Sequence, residues 1–356
     1  MTQPQFPDPE PEKQTARKQQ PGAQQPGAQQ PRNPQSIFAP VSPMPARRDP
    51  SEDRPRYFVH IGLFLATVVT LLLAGNQDVL LGDEPFTFTN LWKGWTFAIP
   101  LIAILLAHEF GHFIAARLHN VRASLPYFIP MPISPIGTMG AIILMRGRIG
   151  SRKALLDIGA SGPLAGMAIA IPVLVWGLLN SEVHPVTGAG LMEGQCLLYS
   201  LLKRLTVGPI PEGSDVFLHP TAFAGWVGLL ITMINLMPIG QLDGGHVAYA
   251  LAGRRQDTIA RFVHFGLLGV FGATFGYHFL SAVRTEQAAE AALRGLEMSL
   301  FWLVWFGFLF VLRLLSGGKN HPPIEQGDLG RGRMVVAIGT LLLFFFLFMP
   351  TPLSQY

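Results

Sequence analysis

Charge and cysteine are what this chain has least of. Only 13% of its 356 residues are Asp, Glu, Lys or Arg, where a soluble globular protein carries about a quarter. The single cysteine, Cys196, excludes an intramolecular disulfide and any Cys-x-x-Cys redox pair or metal site. No run of Lys and Arg interleaved with aromatics occurs, so no nucleic-acid partner is expected. What is present instead is apolar. Hydrophobic residues make up 49% of the chain and the mean hydropathy is +0.34, gathered in long blocks between polar or basic connectors. Blocks of roughly 18 residues or more are membrane spans. The composition predicts an all-α polytopic membrane protein whose surroundings are a lipid bilayer.

Residues 1–56 are different in kind. They are rich in Pro and Gln, contain the near-repeat "QQPGAQQPGAQQP" and hold few large apolar side chains. Such a segment buries too little surface to offset its ordering entropy and is expected to be a disordered tail. It lacks the apolar core of a signal peptide, and Asp8, Glu10, Glu12, Asp49, Glu52 and Asp53 are more acid than an organelle transit peptide carries. Residues 57–350 read as one transmembrane domain, with a core at about 95–250.

Seven spans are expected: Phe58–Ala74, Trp95–Leu118, Asp157–Leu179, Ala222 to past Ile239, Phe262–Ala282, Met298–Leu315 and Met334–Phe348. Basic residues cluster after the second (Arg122, Arg146, Arg148, Arg152, Lys153), the fourth (Arg254, Arg255, Arg261) and the sixth (Lys319, Arg331, Arg333). The connector after the first span holds Asp78, Asp83 and Glu84. Seven crossings put all three basic connectors on one side, which the positive-inside rule makes cytoplasmic. The N-terminus is then cytoplasmic and the C-terminus outside. Short basic loops without targeting signals favour the inner (plasma) membrane of a bacterial cell.

The second span contains "LLAHEFGHFIAARL", Leu105 to Leu118. His108 and His112 are four residues apart, so on a helix their imidazoles share one face, a turn apart. That spacing lets both bind one metal ion, with Glu109 beside them to take a proton from an attacking water. At the chain's own His and Glu frequencies such a match arises by chance in roughly one sequence in a hundred. Ionisable groups at membrane depth are costly, which lowers the odds further. Hydrolytic zinc sites usually take three protein ligands. The fourth span ends in "INLMPIGQLDGGHV", Ile234 to Val247, where Asp243 stands in apolar sequence. Pro238, Gly240, Gly244 and Gly245 would break the helix there, and irregular backbone at membrane depth is tolerated where it lines a cavity. The second and fourth spans both run from outside to inside. His112 and Asp243 then lie at the same cytoplasmic depth.

Together these residues resemble the site-2 protease family of intramembrane zinc metalloproteases. The resemblance rests on "HEFGH" at 108–112, on "NLMPIGQLDGG" at 235–245, similar to that family's Asn-x-x-Pro-x-x-x-Leu-Asp-Gly pattern, and on "LDIGASGPLAG" at 156–166, similar to its central Gly-Pro segment. It implies that His108, His112 and Asp243 hold one Zn2+ and that Glu109 activates water. Asn235 would position substrate or steady the oxyanion; a buried Asn tying two helices together is the alternative. The implied activity is endopeptidase cleavage within or near transmembrane segments, as in regulated intramembrane proteolysis. The implied substrate is a single-pass membrane protein.

Unwinding such a substrate needs help. Ser124–Gly150, broken by Pro126, Pro130, Pro132, Pro135, Gly137 and Gly140, is expected to form a re-entrant loop or β-hairpin whose edge accepts the unwound chain as an added strand. The outer connector, about Asn180–Pro220, is too short for the PDZ domain some members carry there. His60, His264 and His278 lack a carboxylate partner in sequence and are expected to pack, and His119 to be an ordinary connector residue. The rival reading is an ion-coupled transporter or channel with His and Asp at its ion site. Against it, no inverted repeat of the motif spans occurs, and an ion site has no particular need of Glu109.

Overall fold

The computed structural model describes residues 57–76, 79, 84–145, 149–186, 191–284, 287–315 and 327–355. The expected disordered tail, and the charges at Asp78, Asp83, Arg146, Arg148 and Lys319, lie outside the described residues. The chain starts with α1 (Tyr57–Gly75), the short α2 (Phe88–Trp92) and α3 (Trp95–Leu118). Thr87 caps α2 by accepting the Asn90 N–H. A Cβ at Gly94 would overlap the Leu72 carbonyl, so glycine here lets α1 and α3 close together.

After α3 come β1 (Tyr127–Pro130) and β2 (Thr138–Ile142), paired antiparallel with Tyr127 opposite Ile142 and Phe128 opposite Ala141. The β-hairpin, one of the forms expected from the sequence, is present. Its turn leans on α1: Gly137 has φ +79° and lies so near Thr70 that a Cβ would stand 2.5 Å from the Thr70 carbonyl oxygen. His60 of α1 packs as expected, donating from Nδ1 to the Pro126 carbonyl at 3.1 Å and stacking on Tyr127 at 4.1 Å.

Helix α4 (Arg152–Leu179) starts five residues before the expected span, because Ser151 caps it by accepting the Ala154 N–H at 3.2 Å. The connector behind it folds into β3 (Glu182–Pro185), β4 (Leu191–Glu193), α5 (Leu197–Thr206) and β5 (Ser214–Phe217). β3 pairs with β5, and β4 pairs with β6 (Leu353–Gln355). Cys196 is buried and caps α5, its sulfur accepting the Tyr199 N–H.

Next come α6 (Pro220–Asn235), α7 (Asp243–Ala252), a 3-10 turn at Gly253–Arg255, α8 (Gln256–Ala282), α9 (Ala288–Leu315) and α10 (Arg331–Leu347). Among the described residues five helical runs are long and apolar enough to cross a membrane: α1, α3, α4, the run Asp243–Ala282, and α9. The mostly helical, polytopic character is as the composition predicts. The shortfall from seven lies at α6, with 16 residues, and α10, with 17. The fourth span was expected to run past Ile239, but its helix ends at Asn235, and the Pro238 segment connects it irregularly to α7. Gly244 and Gly245 do not break a helix. They lie inside α7, where a Cβ would overlap the carbonyls of Leu236 and Gly240.

Helix α4 is the hub, packed against α3, α6, α7 and α10. The main core joins Leu101 and Leu105 of α3, Ala170 and Leu174 of α4, and Trp226 and Met233 of α6. Thr221 donates to the Thr96 carbonyl at 2.7 Å, so α3 and α6 start on the same face and run parallel. That arrangement brings the end of α6, Asn235, level with His108 in the middle of α3.

Candidate metal centre

His108 and His112 lie on the buried face of α3, one turn apart, with ring centroids 4.9 Å apart and planes at 75°. Asp243 is the first residue of α7 and reaches them as soon as the irregular segment after α6 ends. Its Oδ2 is 3.2 Å from His108 Nε2, its Oδ1 is 3.2 Å from His112 Nε2, and the two Nε2 atoms are 3.2 Å apart. A tetrahedral site with metal–nitrogen distances of ~2.0–2.1 Å has edges of about 3.3 Å. The spacing of the three donors suits such an ion.

The protonation pattern says the same. His112 Nδ1 lies 2.7 Å from the Ile158 carbonyl, which only accepts, so Nδ1 carries a proton and Nε2 is the nitrogen left to bind a metal ion. A lone pair, a second imidazole nitrogen and a carboxylate thus converge. One proton would satisfy one pair of them; a metal ion satisfies all three at once. Among the described residues this is the one group of three or more His, Cys, Asp or Glu with ligand atoms so placed.

The "LDIGASGPLAG" segment has a physical reason to be glycine-rich. A Cβ at Gly162 would overlap the His112 ring. A Cβ at Gly166 would stand 3.2 Å from His108 Cβ, and one at Gly159 would stand 2.9 Å from His246 Cβ. On α3, a Cβ at Gly111 would come 2.5 Å from the Ser161 carbonyl oxygen. These glycines bring α4 against the ligand-bearing faces of α3 and α7.

Glu109 is buried, and its Oε2 has no hydrogen-bond partner among the described residues. Leaving such an atom unsatisfied costs about 1–3 kcal/mol, and more if it is charged. What sets Glu109 apart from other buried polar groups is its place next to His108 at the three-donor site. Glu109 lines a cavity of about 510 Å³, together with His108, Asn235, Gly140 and Ile142. Asn235, the last residue of α6, places its Nδ2 3.3 Å from His108 Nε2. All five residues expected from the sequence therefore meet. The sequence reading missed the Ile158 carbonyl, for which a backbone atom leaves no signal, and the space-clearing role of Gly162. It also took His119 for an ordinary connector residue, whereas His119 pairs with Asp157 at 2.8 Å.

Comparison with known proteins agrees. The chain is 32% identical to the probable zinc metalloprotease EGY2, chloroplastic, of Oryza sativa subsp. indica over 225 residues, covering 61% of this chain and 40% of the relative. It is 32% identical to the probable zinc metalloprotease EGY1, chloroplastic, of Arabidopsis thaliana over 276 residues, covering 68% and 50%. It is 30% identical to the probable zinc metallopeptidase EGY3, chloroplastic, of Arabidopsis thaliana over 314 residues, covering 78% and 52%. The chain thus spans about half or less of the length of these relatives. No solved structure matches it. Residues 96–274, which contain both ligand motifs and the glycine-rich segment between them, match peptidase family M50, and the chain belongs to that family, the site-2 proteases.

Proposed function

We propose that the protein is an intramembrane zinc metalloendopeptidase that cuts peptide bonds within or near the transmembrane segments of membrane proteins. The observation that carries this is a three-donor metal site with an unpartnered carboxylate, Glu109, beside it in an apolar cavity. His108, His112 and Asp243 would hold the ion. When bound there, zinc lowers the pKa of a water toward neutrality and polarises the scissile carbonyl. Glu109 takes the proton from the attacking water and delivers it to the leaving amine as the C–N bond breaks. Asn235, whose Nδ2 lies 3.3 Å from His108 Nε2, would position substrate or donate to the oxyanion. Burial of the site keeps its polar contacts strong and side reactions few.

A helical substrate must unwind to present its carbonyl. Among the described residues β2 pairs only with β1, and Gly140 and Ile142 line the cavity that holds Glu109. The free edge of β2 would then take the unwound segment as an added strand, and Gly140, with open space where a Cβ would be, leaves room for it. The substrate class is a single-pass membrane protein.

Seven crossings remain our reading of the topology, with α6 and α10 as short spans. The β4–β6 pairing requires an even number of crossings between the α4–α6 connector and residues 353–355, which is met when α6 and α10 both cross and equally when neither does. By the basic connectors, the N-terminal side and the face holding the end of α3 are cytoplasmic. The membrane concerned is the inner (plasma) membrane, a placement resting on sequence alone, since the curated relatives carry chloroplastic names.

The test is direct. Wild type and Glu109→Gln, reconstituted in liposomes, are compared for zinc content and for cleavage of a panel of transmembrane substrates. Equal zinc with cleavage only by wild type supports the assignment. Equal cleavage by both removes Glu109 from the chemistry.

A further inference from the structure

Building on the metal-centre reading, we propose that the first two turns of α4 are a brace that sets the geometry of the metal site, with Arg152 and Asp157 as its positioning residues. Two separate clamps meet there, one for each ligand-bearing helix.

The first clamp holds α7. Arg152, the first residue of α4, donates from Nε to the Ala250 carbonyl at 2.8 Å and from Nη2 to the Leu251 carbonyl at 3.2 Å. These carbonyls belong to the last turn of α7, where a helix leaves its acceptors without intrahelical donors. A third bond, Nη1 to the Gly327 carbonyl at 3.4 Å, ties in the approach to α10. Helix α7 has ten residues, too few to be stable alone. It carries Asp243 at one end and is held by Arg152 at the other. A helix that short is a stiff lever, so freeing its C-terminal end lets Asp243 swing.

The second clamp holds α3. Asp157 accepts from His119 Nε2 at 2.8 Å, and His119 is the residue that closes the C-terminus of α3, the helix of His108 and His112. The same carboxylate takes a fork from Arg333 of α10: Nε at 2.9 Å to Oδ1 and Nη2 at 2.7 Å to Oδ2. The residue after Asp157 is Ile158, whose carbonyl fixes the His112 tautomer. Asp157 therefore positions both the end of the histidine helix and the carbonyl that orients one of its ligands.

Positive charge at a cytoplasmic edge needs no fixed partner to set topology. Arg152 and Arg333 instead have directed, multidentate partners: Arg152 holds the last carbonyls of α7, the helix of Asp243, and Arg333 holds Asp157, which in turn binds the residue closing α3. Outer partners of metal ligands typically affect metal affinity or activity by 10–100-fold, and that is the scale expected here.

The experiment uses the full chain in lipid nanodiscs, with zinc affinity from chelator competition, the electronic spectrum of bound Co2+, and the thermal midpoint. Variants are Arg152→Ala, Arg152→Lys, Asp157→Asn and, as a control away from the site, Lys203→Met. Arg152→Ala and Asp157→Asn should bind zinc about tenfold or more weakly and shift the Co2+ bands. Arg152→Lys, which keeps one donor for the α7 carbonyls, should recover part of the affinity. Lys203→Met should lower the midpoint and leave zinc affinity and spectrum at wild-type values. Wild-type affinity and spectrum in Asp157→Asn and in either Arg152 variant would overturn the brace, whatever the midpoints. Should Arg152→Ala fail to fold, the Lys and Asn variants decide alone. A wild type that binds no zinc overturns the metal centre and the brace with it; a wild type that binds, matched by its variants, overturns the brace only.

Discussion

Two buried polar clusters among the described residues are built on opposite principles. In the α4–α6 connector, Lys203 lies between Glu193 at 3.0 Å and Asp215 at 3.1 Å, and Tyr199 donates to Glu193 at 2.7 Å. The ammonium there meets a carboxylate on either side, so its charge is matched inside the cluster. Burial, with Glu193 beside it, pushes the Tyr199 phenol above its ordinary pKa, so it stays protonated as a donor. Between α3 and the start of α7, by contrast, two imidazole nitrogens and a carboxylate face one another, and Glu109 Oε2 has no hydrogen-bond partner among the described residues. Burial of titratable groups is common to both. What separates a structural cluster from a chemical one is whether donors and acceptors balance without help. The first pairs its charges internally; the second gains a common partner only with a cation between its donors.

Mutations can break or sharpen that contrast. The largest effect is expected from a ligand: Asp243→Ala should reduce zinc content to near zero and cleavage to background, measured by elemental analysis and a transmembrane substrate assay. Glu109→Gln should keep the zinc and lower kcat by about 10²–10⁴-fold, the usual contribution of a general acid–base. Gly162→Ala places a methyl on the His112 ring; it should cost about 1–3 kcal/mol of stability and weaken zinc binding, read by thermal unfolding with and without chelator. Lys203→Met leaves Glu193 and Asp215 buried without their cation, and breaking a buried pair costs about 3–5 kcal/mol. Its signature is a lower unfolding midpoint at unchanged zinc affinity. Smallest of all is Gly266→Ala on α8, where a Cβ meets open space. It should be neutral or stabilise by up to about 1 kcal/mol.

Much of the chemistry was legible in the sequence because it lies in local spacing. The four-residue step from His108 to His112 needs only helical periodicity, and Asp243 follows from a motif within ten residues of Asn235. Gly162 and Gly166 were visible as a pattern, but their purpose required knowing which helix packs against them. The end of α6 at Asn235 was misplaced because apolar content continues through Ile239 while the hydrogen-bond ladder does not. The pairing of β4 with β6 joins residues about 160 apart, and strand propensity gives no hint of so distant a partner. The roles of Arg152, His119 and Asp157 stayed hidden for the same reason. Their partners are on other helices, and a basic residue at a membrane edge reads first as a topology signal.

The account stands or falls on what occupies the space between His108, His112 and Asp243. Zinc-edge X-ray absorption on the full chain in nanodiscs, with metal quantified per chain, addresses it directly. The expected result is one zinc per chain with two imidazole nitrogens and light oxygen donors in its coordination shell. A chain that remains folded and purifies without zinc, or holds it with a single imidazole, would contradict the account.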